Sequence, residues 1–129
     1  MRIIIAGSRE YNNYEEAAKL IDKFIKDVNS SNVVIVSGGA KGADKIGEEY
    51  AARNGLDCVV YKANWGKYGK QAGIIRNGEM AKNADCLLAF WNGESRGTYN
   101  MINTAKKRKL KVRVFNYSNK GVSNYGSEF

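Results

Sequence analysis

The chain opens with a short apolar run, Arg2-Ile3-Ile4-Ile5-Ala6, that stops at Gly7, as a buried strand would. A polar turn around Asn12 and Asn13 follows. Apolar residues then fall at Tyr14, Ala17, Ala18, Ile21, Phe24, Ile25 and Val28, a 3.6-residue period that predicts an amphipathic helix. Val33-Val34-Ile35-Val36 is a second β-branched run, ending in Ser37-Gly38-Gly39. Ala43, Ile46, Gly47, Tyr50 and Ala51 give another helical stripe, closed by Asn54-Gly55. A third strand is predicted over 57–62, then a polar and aromatic loop to about residue 69 and a helix over about 71–83. Cys86-Leu87-Leu88-Ala89-Phe90 reads as the fourth strand, 91–97 as a loop, and Thr98, Met101, Ile102 and Ala105 as the start of a last helix. The fifth strand is predicted over 111–115. Residues 116–129, rich in Asn, Ser and Gly with little periodicity, are expected to form a polar, mobile tail to a single domain over 1–115.

Five nearly continuous apolar strands alternating with helices imply a mainly parallel sheet covered on both faces and joined by right-handed crossovers. The predicted fold class is α/β, a Rossmann-like three-layer α/β/α domain with a five-stranded sheet. Ligands of such sheets bind beyond the carboxyl ends of the strands, where strand order reverses. Function is therefore expected in the loops after strands one to four.

Composition narrows the chemistry. The chain has 129 residues and no His, which excludes Ser-His-Asp and Cys-His catalysis and any imidazole base. At this length roughly 65–70% of the unfolded surface is buried on folding, so the core needs no disulfide or metal staple. Cys58 and Cys86 lie far apart, outside any CxxC pattern, and are expected to be reduced core residues of a cytoplasmic protein. No metal site and no cofactor is expected, and no apolar run approaches a membrane span. Of the net charge of +8, a large part comes from Lys106, Lys107, Arg108, Lys109, Lys111 and Arg113. Such a stretch suits the solvated end of a helix, where cations favour the dipole, more than a nucleic-acid patch.

Three loops hold the residues that could carry function: Gly7-Ser8-Arg9 after strand one, 37–44 after strand two and 91–98 after strand four. Glycines at a strand-to-helix turn allow close backbone approach, and helix N-termini offer free amides to an anion. Neither GxGxxG nor GxxxxGK[ST] occurs, so neither a dinucleotide fingerprint nor an ATPase P-loop is supported. The two Gly-rich turns, with Ser8, Arg9, Arg76 and Arg96 near them in topology, point to a phosphate-bearing ligand. Trp65, Tyr68 and Trp91 either cover the open end of the sheet or form a wall on which a nucleobase stacks.

The string as a whole resembles a known family. Gly7-Ser8-Arg9, Ser37-Gly38-Gly39-Ala40-x-Gly42-Ala43-Asp44, Asn64-Trp65-x-x-Tyr68-Gly69-x-x-Ala72-Gly73-x-x-Arg76-Asn77-x-x-Met80 and Phe90-Trp91-x-Gly93-x-Ser95-Arg96-Gly97-Thr98 resemble the YspA-type, YpsA-related branch of the SLOG superfamily over about 1–115. The resemblance implies small Rossmann-like proteins of bacteria and phages that sense, bind or process nucleotides and nucleotide-derived ligands. It also implies distant kinship with the LOG phosphoribohydrolases and the DNA-binding DprA proteins, and the homodimers common among such relatives. Gly97-Thr98 matches the GT of the LOG motif PGGxGTxxE, but Glu94-Ser95 replaces its glycines and Met101 its glutamate.

The favoured expectation is a non-catalytic or weakly catalytic nucleotide-ligand-binding domain, a sensor or sequestering protein. Its ligand-binding residues would be Gly7, Ser8, Arg9, Ser37, Gly38, Gly39, Gly42, Asp44, Trp65, Arg76, Asn77, Trp91, Gly93, Ser95, Arg96, Gly97 and Thr98. The alternative is a nucleoside 5′-monophosphate phosphoribohydrolase, an N-glycosidase, with Asp44 or Glu79 replacing the missing acid. Nucleic-acid binding through residues 106–113 stands third, because that stretch lies at the other end of strand five from the crevice.

Overall fold

A computed structural model describes residues 1–118 in full and the backbone of 121–126. Strand β1 (Arg2–Gly7) runs inside the sheet between β2 (Val34–Ser37) and β4 (Cys86–Trp91). Its side chains alternate between two cores, as the pleat requires. Ile3 and Ile5 face helices α1 (Tyr14–Val28) and α2 (Ala43–Arg53), whereas Ile4 and Ala6 face α4 (Ala72–Lys82) and α5 (Arg96–Lys107). Ile3, Ile4 and Ile5 are wholly buried, as a strand covered on both faces must be.

The six-stranded sheet has the order β3-β2-β1-β4-β5-β6, with β3 spanning Asp57–Val60, β5 Lys111–Asn116 and β6 Gly121–Gly126. Strands β1 to β5 pair in parallel, so the predicted Rossmann-like α/β architecture is the observed one. Strand order reverses at β1. The chain leaves it through α1 toward β2 and β3, then returns through α4 to β4 on its other side. Local signals set the helix ends. Asn13 caps α1 by accepting from the Glu16 amide (3.1 Å), and Asn29 closes it in the left-handed region (φ 54°).

Three expectations are corrected. The sheet has six strands, because β6 pairs antiparallel along the outer edge of β5 with Val112 opposite Tyr125 and Val114 opposite Ser123. Part of the supposed mobile tail is thus ordered strand. Its sequence, Gly-Val-Ser-Asn-Tyr-Gly, has too little alternation to announce itself, and the ladder with β5 specifies it. Residues 119–120 and 127–129 of that tail lie outside the described residues. Second, residues 65–68 form a short helix, α3 (Trp65–Tyr68), because Asn64 caps it by accepting from the Lys67 amide (3.1 Å). A 3₁₀ turn, Gly69–Gln71, then leads into α4. Third, Cys58 is exposed, since β3 ends the sheet and is paired on one side only; Cys86 in β4 is buried, and both are free thiols. No helix among the described residues is long and apolar enough to cross a membrane.

Helix α2 approaches the sheet closely at Gly47. A Cβ there would lie 2.7 Å from Ile5 Cβ, so α2 rests directly on β1. Gly47→Ala is expected to lower stability by about 1–3 kcal/mol through overpacking. Gly78 in α4 is the control, since a Cβ added there would meet nothing within 4 Å. Gly78→Ala is expected to raise stability by about 0.5–1 kcal/mol through helix propensity. Urea unfolding midpoints of the two variants check both signs.

Candidate functional site

At the carboxyl ends of β1, β2 and β4 the three loops are tied together through Ser8, which is 1% exposed. Its amide donates to the Phe90 carbonyl (2.9 Å), its carbonyl accepts from the amides of Tyr11 and Ala43 (both 3.3 Å), and its hydroxyl accepts from the Asn92 amide (3.2 Å). The approach of the second loop needs glycine. Gly42 has φ +77°, and a Cβ on it would lie 2.4 Å from both the Ser8 and Arg9 carbonyl oxygens.

Beside this junction lies a cavity of about 270 Å³. Ten of the sequence-predicted residues line it: Gly7, Arg9, Asp44, Trp65, Arg76, Asn77, Ser95, Arg96, Gly97 and Thr98. Its lining is rich in cations, with Arg9, Lys70, Arg76 and Arg96, and includes the start of α5. Ser95 caps α5 by accepting from the Thr98 amide (3.3 Å) and sharing a hydrogen bond with the Thr98 hydroxyl (3.1 Å), which fixes the helix start next to Arg96. The lining also has apolar residues, the buried Met80 and Met101 and the exposed Ile74 and Trp65. Sequence reasoning missed Ala6, Ala40, Lys70, Gly73, Ile74, Met80, Asn100 and Met101. Gly73 and Met80 share a face of α4 with Arg76 and Asn77, a helical spacing that could have found them.

The remaining predicted residues stand around the cavity. Ser37 is fully buried; its hydroxyl donates to Glu48 Oε2 (2.8 Å), sits 3.1 Å from the Asp44 carbonyl and accepts from the Gly39 amide (3.0 Å), so it shapes the β2–α2 turn from beneath. Gly38 makes room for Arg76, whose Nη1 would stand 2.6 Å from any Cβ there. Trp91 stacks on Tyr99 (centroids 5.8 Å apart) and donates from Nε1 to the Ser95 carbonyl (3.0 Å), bracing the β4–α5 turn that also holds Gly93. Glu79 is exposed on the outer side of α4, in a surface groove with Ile75, Lys82 and Lys107, and does not line the cavity.

Arg76 and Asn77 form a strut across the site. Arg76 donates from Nη1 to the Gly38 carbonyl and from Nε to Asn77 Oδ1 (3.0 Å). Asn77 donates to the Gly97 carbonyl (3.3 Å) and to Asn100 Oδ1 (2.9 Å). The β2–α2 turn is thereby joined through α4 to the start of α5. Arg76 also lines the cavity and interacts electrostatically with Asp44, while the Asn77 amide is occupied within the protein.

Residues 1–68 match the model of the YAcAr family, described as the YspA, cpYpsA-related SLOG family. The chain belongs to this SLOG family. Gene 61 protein of Mycobacterium phage D29 is 34% identical over 122 residues, covering 88% of this chain and 95% of its own length. The crystal structure of DNA processing protein A (DprA) from Streptococcus pneumoniae superposes with a TM-score of 0.67 at 19% identity over 88% of this chain. The SLOG domain spans 49% of that DprA chain, and the likeness is one of fold.

Among the described residues of this SLOG domain the one carboxylate lining the cavity is Asp44, 5% exposed. Burial pushes its carboxyl up to about 6, and the nearby Glu48 adds to that. The Ala40 amide donating to Oδ2 (3.1 Å), the Arg76 guanidinium and the Gly7 amide oppose the shift. Among the described residues no group of three or more His, Cys, Asp or Glu side chains is placed to hold a metal ion.

An acid whose folded pKa exceeds its unfolded value binds protons more tightly when folded. Stability from Asp44 therefore falls as pH rises from about 4 to about 6, and the cost is complete above that window. Asp44→Asn keeps an oxygen for the Ala40 amide and removes the buried charge, but leaves Arg76 without its counter-charge. The variant is expected to be about 1–3 kcal/mol more stable than the parent at pH 7, with the gain vanishing below pH ~4. Urea denaturation across pH 4–7.5 checks this; a less stable variant with an unchanged pH slope contradicts it.

Proposed function

We propose that this SLOG domain binds a nucleotide or nucleotide-derived small molecule at the carboxyl edge of β1, β2 and β4. The observation that carries the reading is the pairing, in one cavity, of a capped helix start and Arg9, Arg76 and Arg96 with the apolar Ile74, Met80, Met101 and Trp65. A phosphate suits the first group, through charge-assisted hydrogen bonds and the α5 dipole. A base suits the second, where Trp65 is 53% exposed and free to stack. The cavity volume, at the lower end for small-molecule sites, favours one nucleotide unit over a dinucleotide. Sensing or sequestering such a ligand is the role that fits, and the phage relative supports a phage setting for it.

The second reading, cleavage of a nucleoside 5′-monophosphate at its N-glycosidic bond, is favoured by Asp44 alone. A cavity carboxyl near 6 takes and gives protons near neutrality. Against it, Met101, where the LOG motif has glutamate, is part of the cavity wall and offers neither charge nor base. Nucleic-acid binding is supported by the name of the DprA neighbour, but the basic stretch at the end of α5 lies away from the cavity. Arg113 of that stretch is engaged with Asp27 (2.8 Å) and lies over the Phe24 ring.

Calorimetric titration of AMP into the parent protein and into Arg96→Ala tests the proposal. Arg96 is exposed at the cavity rim, so its loss is expected to weaken AMP by roughly 5- to 50-fold with little change in the ligand-free melting temperature. Equal affinity in both proteins removes the Arg96 side chain from the site. Chromatography of the same mixtures is expected to show no free adenine at rates near 1 s⁻¹; release at about that rate promotes the hydrolase reading.

A further inference from the structure

Glu10 belongs to no part of the cavity lining, yet its carboxylate joins three segments far apart in sequence. Its Oε1 accepts from the Tyr117 hydroxyl (2.7 Å) and from Asn92 Nδ2 (2.6 Å). Both partners are themselves anchored. The Tyr117 amide donates to the Trp91 carbonyl (3.1 Å), and its ring packs against Tyr11 at 4.9 Å between centroids. Asn92 donates from its backbone amide to Ser8 Oγ, and its Oδ1 accepts from the amides of Glu94 and Ser95 (both 2.8 Å). The Asn92 side chain thus forms the β4–α5 turn with one end and holds the β1–α1 loop with the other.

We propose that Glu10 is a positioning residue, the acceptor of a latch with Asn92 and Tyr117 that fixes the β1–α1 loop bearing Arg9 against the turn that starts α5. The two halves of the anion cradle, Arg9 on one side and Ser95, Arg96 and Gly97 on the other, keep their spacing because the latch spans them. A ligand that bridges both halves then meets a formed site and does not have to order two loops on binding. This inference rests on the reading of the cavity as a phosphate-bearing ligand's site. It concerns side chains that touch no ligand and act through the loops.

The sign of one substitution separates a latch from a bystander charge. Glu10 is an acid close to a cationic site, so by electrostatics alone its removal tightens an anionic ligand. If it is the latch acceptor, Glu10→Ala weakens AMP, by roughly 3- to 10-fold, about one hydrogen bond's worth. Glu10→Gln keeps an acceptor oxygen for Tyr117 and Asn92 and is expected to bind AMP within about twofold of the parent. Hydrogen exchange without ligand supplies an independent readout: the Glu94 and Ser95 amides exchange faster in Glu10→Ala and at the parent rate in Glu10→Gln. AMP binding that is unchanged or tighter in Glu10→Ala, or exchange at those amides equal to the parent's, overturns the proposal. Should the parent bind neither AMP nor inorganic phosphate, the ligand reading fails, and the exchange comparison still decides the latch.

Discussion

The upper edge of this domain depends on the hydrogen bonds converging on Ser8. A sheet whose strand order reverses at β1 carries α1 and α2 on one face and α4 and α5 on the other, so the loops that begin these crossovers diverge unless something binds them. Ser8 does this with its amide on β4, its carbonyl on Tyr11 of its own loop and on the start of α2, and its hydroxyl on the turn before α5. The arrangement tolerates no side chain at two neighbouring points. A Cβ on Gly7 would lie 2.1 Å from the Phe90 carbonyl oxygen, and one on Gly42 would meet the Ser8 and Arg9 carbonyls. Buried main-chain polar groups need partners, and here the partners of each loop are supplied by the others. The cavity exists because the loops are bound at their bases and open at their tips.

Around that junction the charges divide the work. Arg76 and Asn77 connect the β2–α2 turn to α5 from the α4 side, and Glu10, Asn92 and Tyr117 connect the β1–α1 loop to α5 from the β5 side. The start of α5 is therefore held from two directions. Asp44 is the cost of the arrangement. Its buried carboxylate organises the Ala40 and Gly7 amides at the expense of desolvation, the kind of local instability that polar sites carry.

Most of the fold was legible because its signals are local. Short apolar runs announced β1, β2, β4 and β5, and the 3.6-residue stripe announced α1, since burial on both faces or on one leaves a direct trace in the residue pattern. Burial in the sheet was not local: Cys58 and Cys86 sit in similar apolar runs, and strand order alone makes one exposed and the other buried. β6 left no pattern because pairing with β5 defines it. In the site, topology alone brought Arg9, Asp44, Arg76 and Arg96 to one edge, and they do line one cavity. Side-chain direction was not legible. Glu79 falls with Ile75 and Lys82 on the outer side of α4, and Ser37 turns inward to Glu48, eleven residues away. Glu10, Asn92 and Tyr117 carry no sequence signal, because their contacts span 82 and 107 residues.

The central claim is that a nucleotide's phosphate rests at the start of α5, within reach of the Ser8 junction. Titrating AMP into nitrogen-15-labelled protein and following every backbone amide tests it most directly. The account predicts saturable shifts concentrated at residues 7–9, 38–44 and 95–98, with residues 106–111, from the last turn of α5 to the start of β5, unmoved. Shifts confined to residues 106–111, or a spectrum unchanged at millimolar AMP, contradict it.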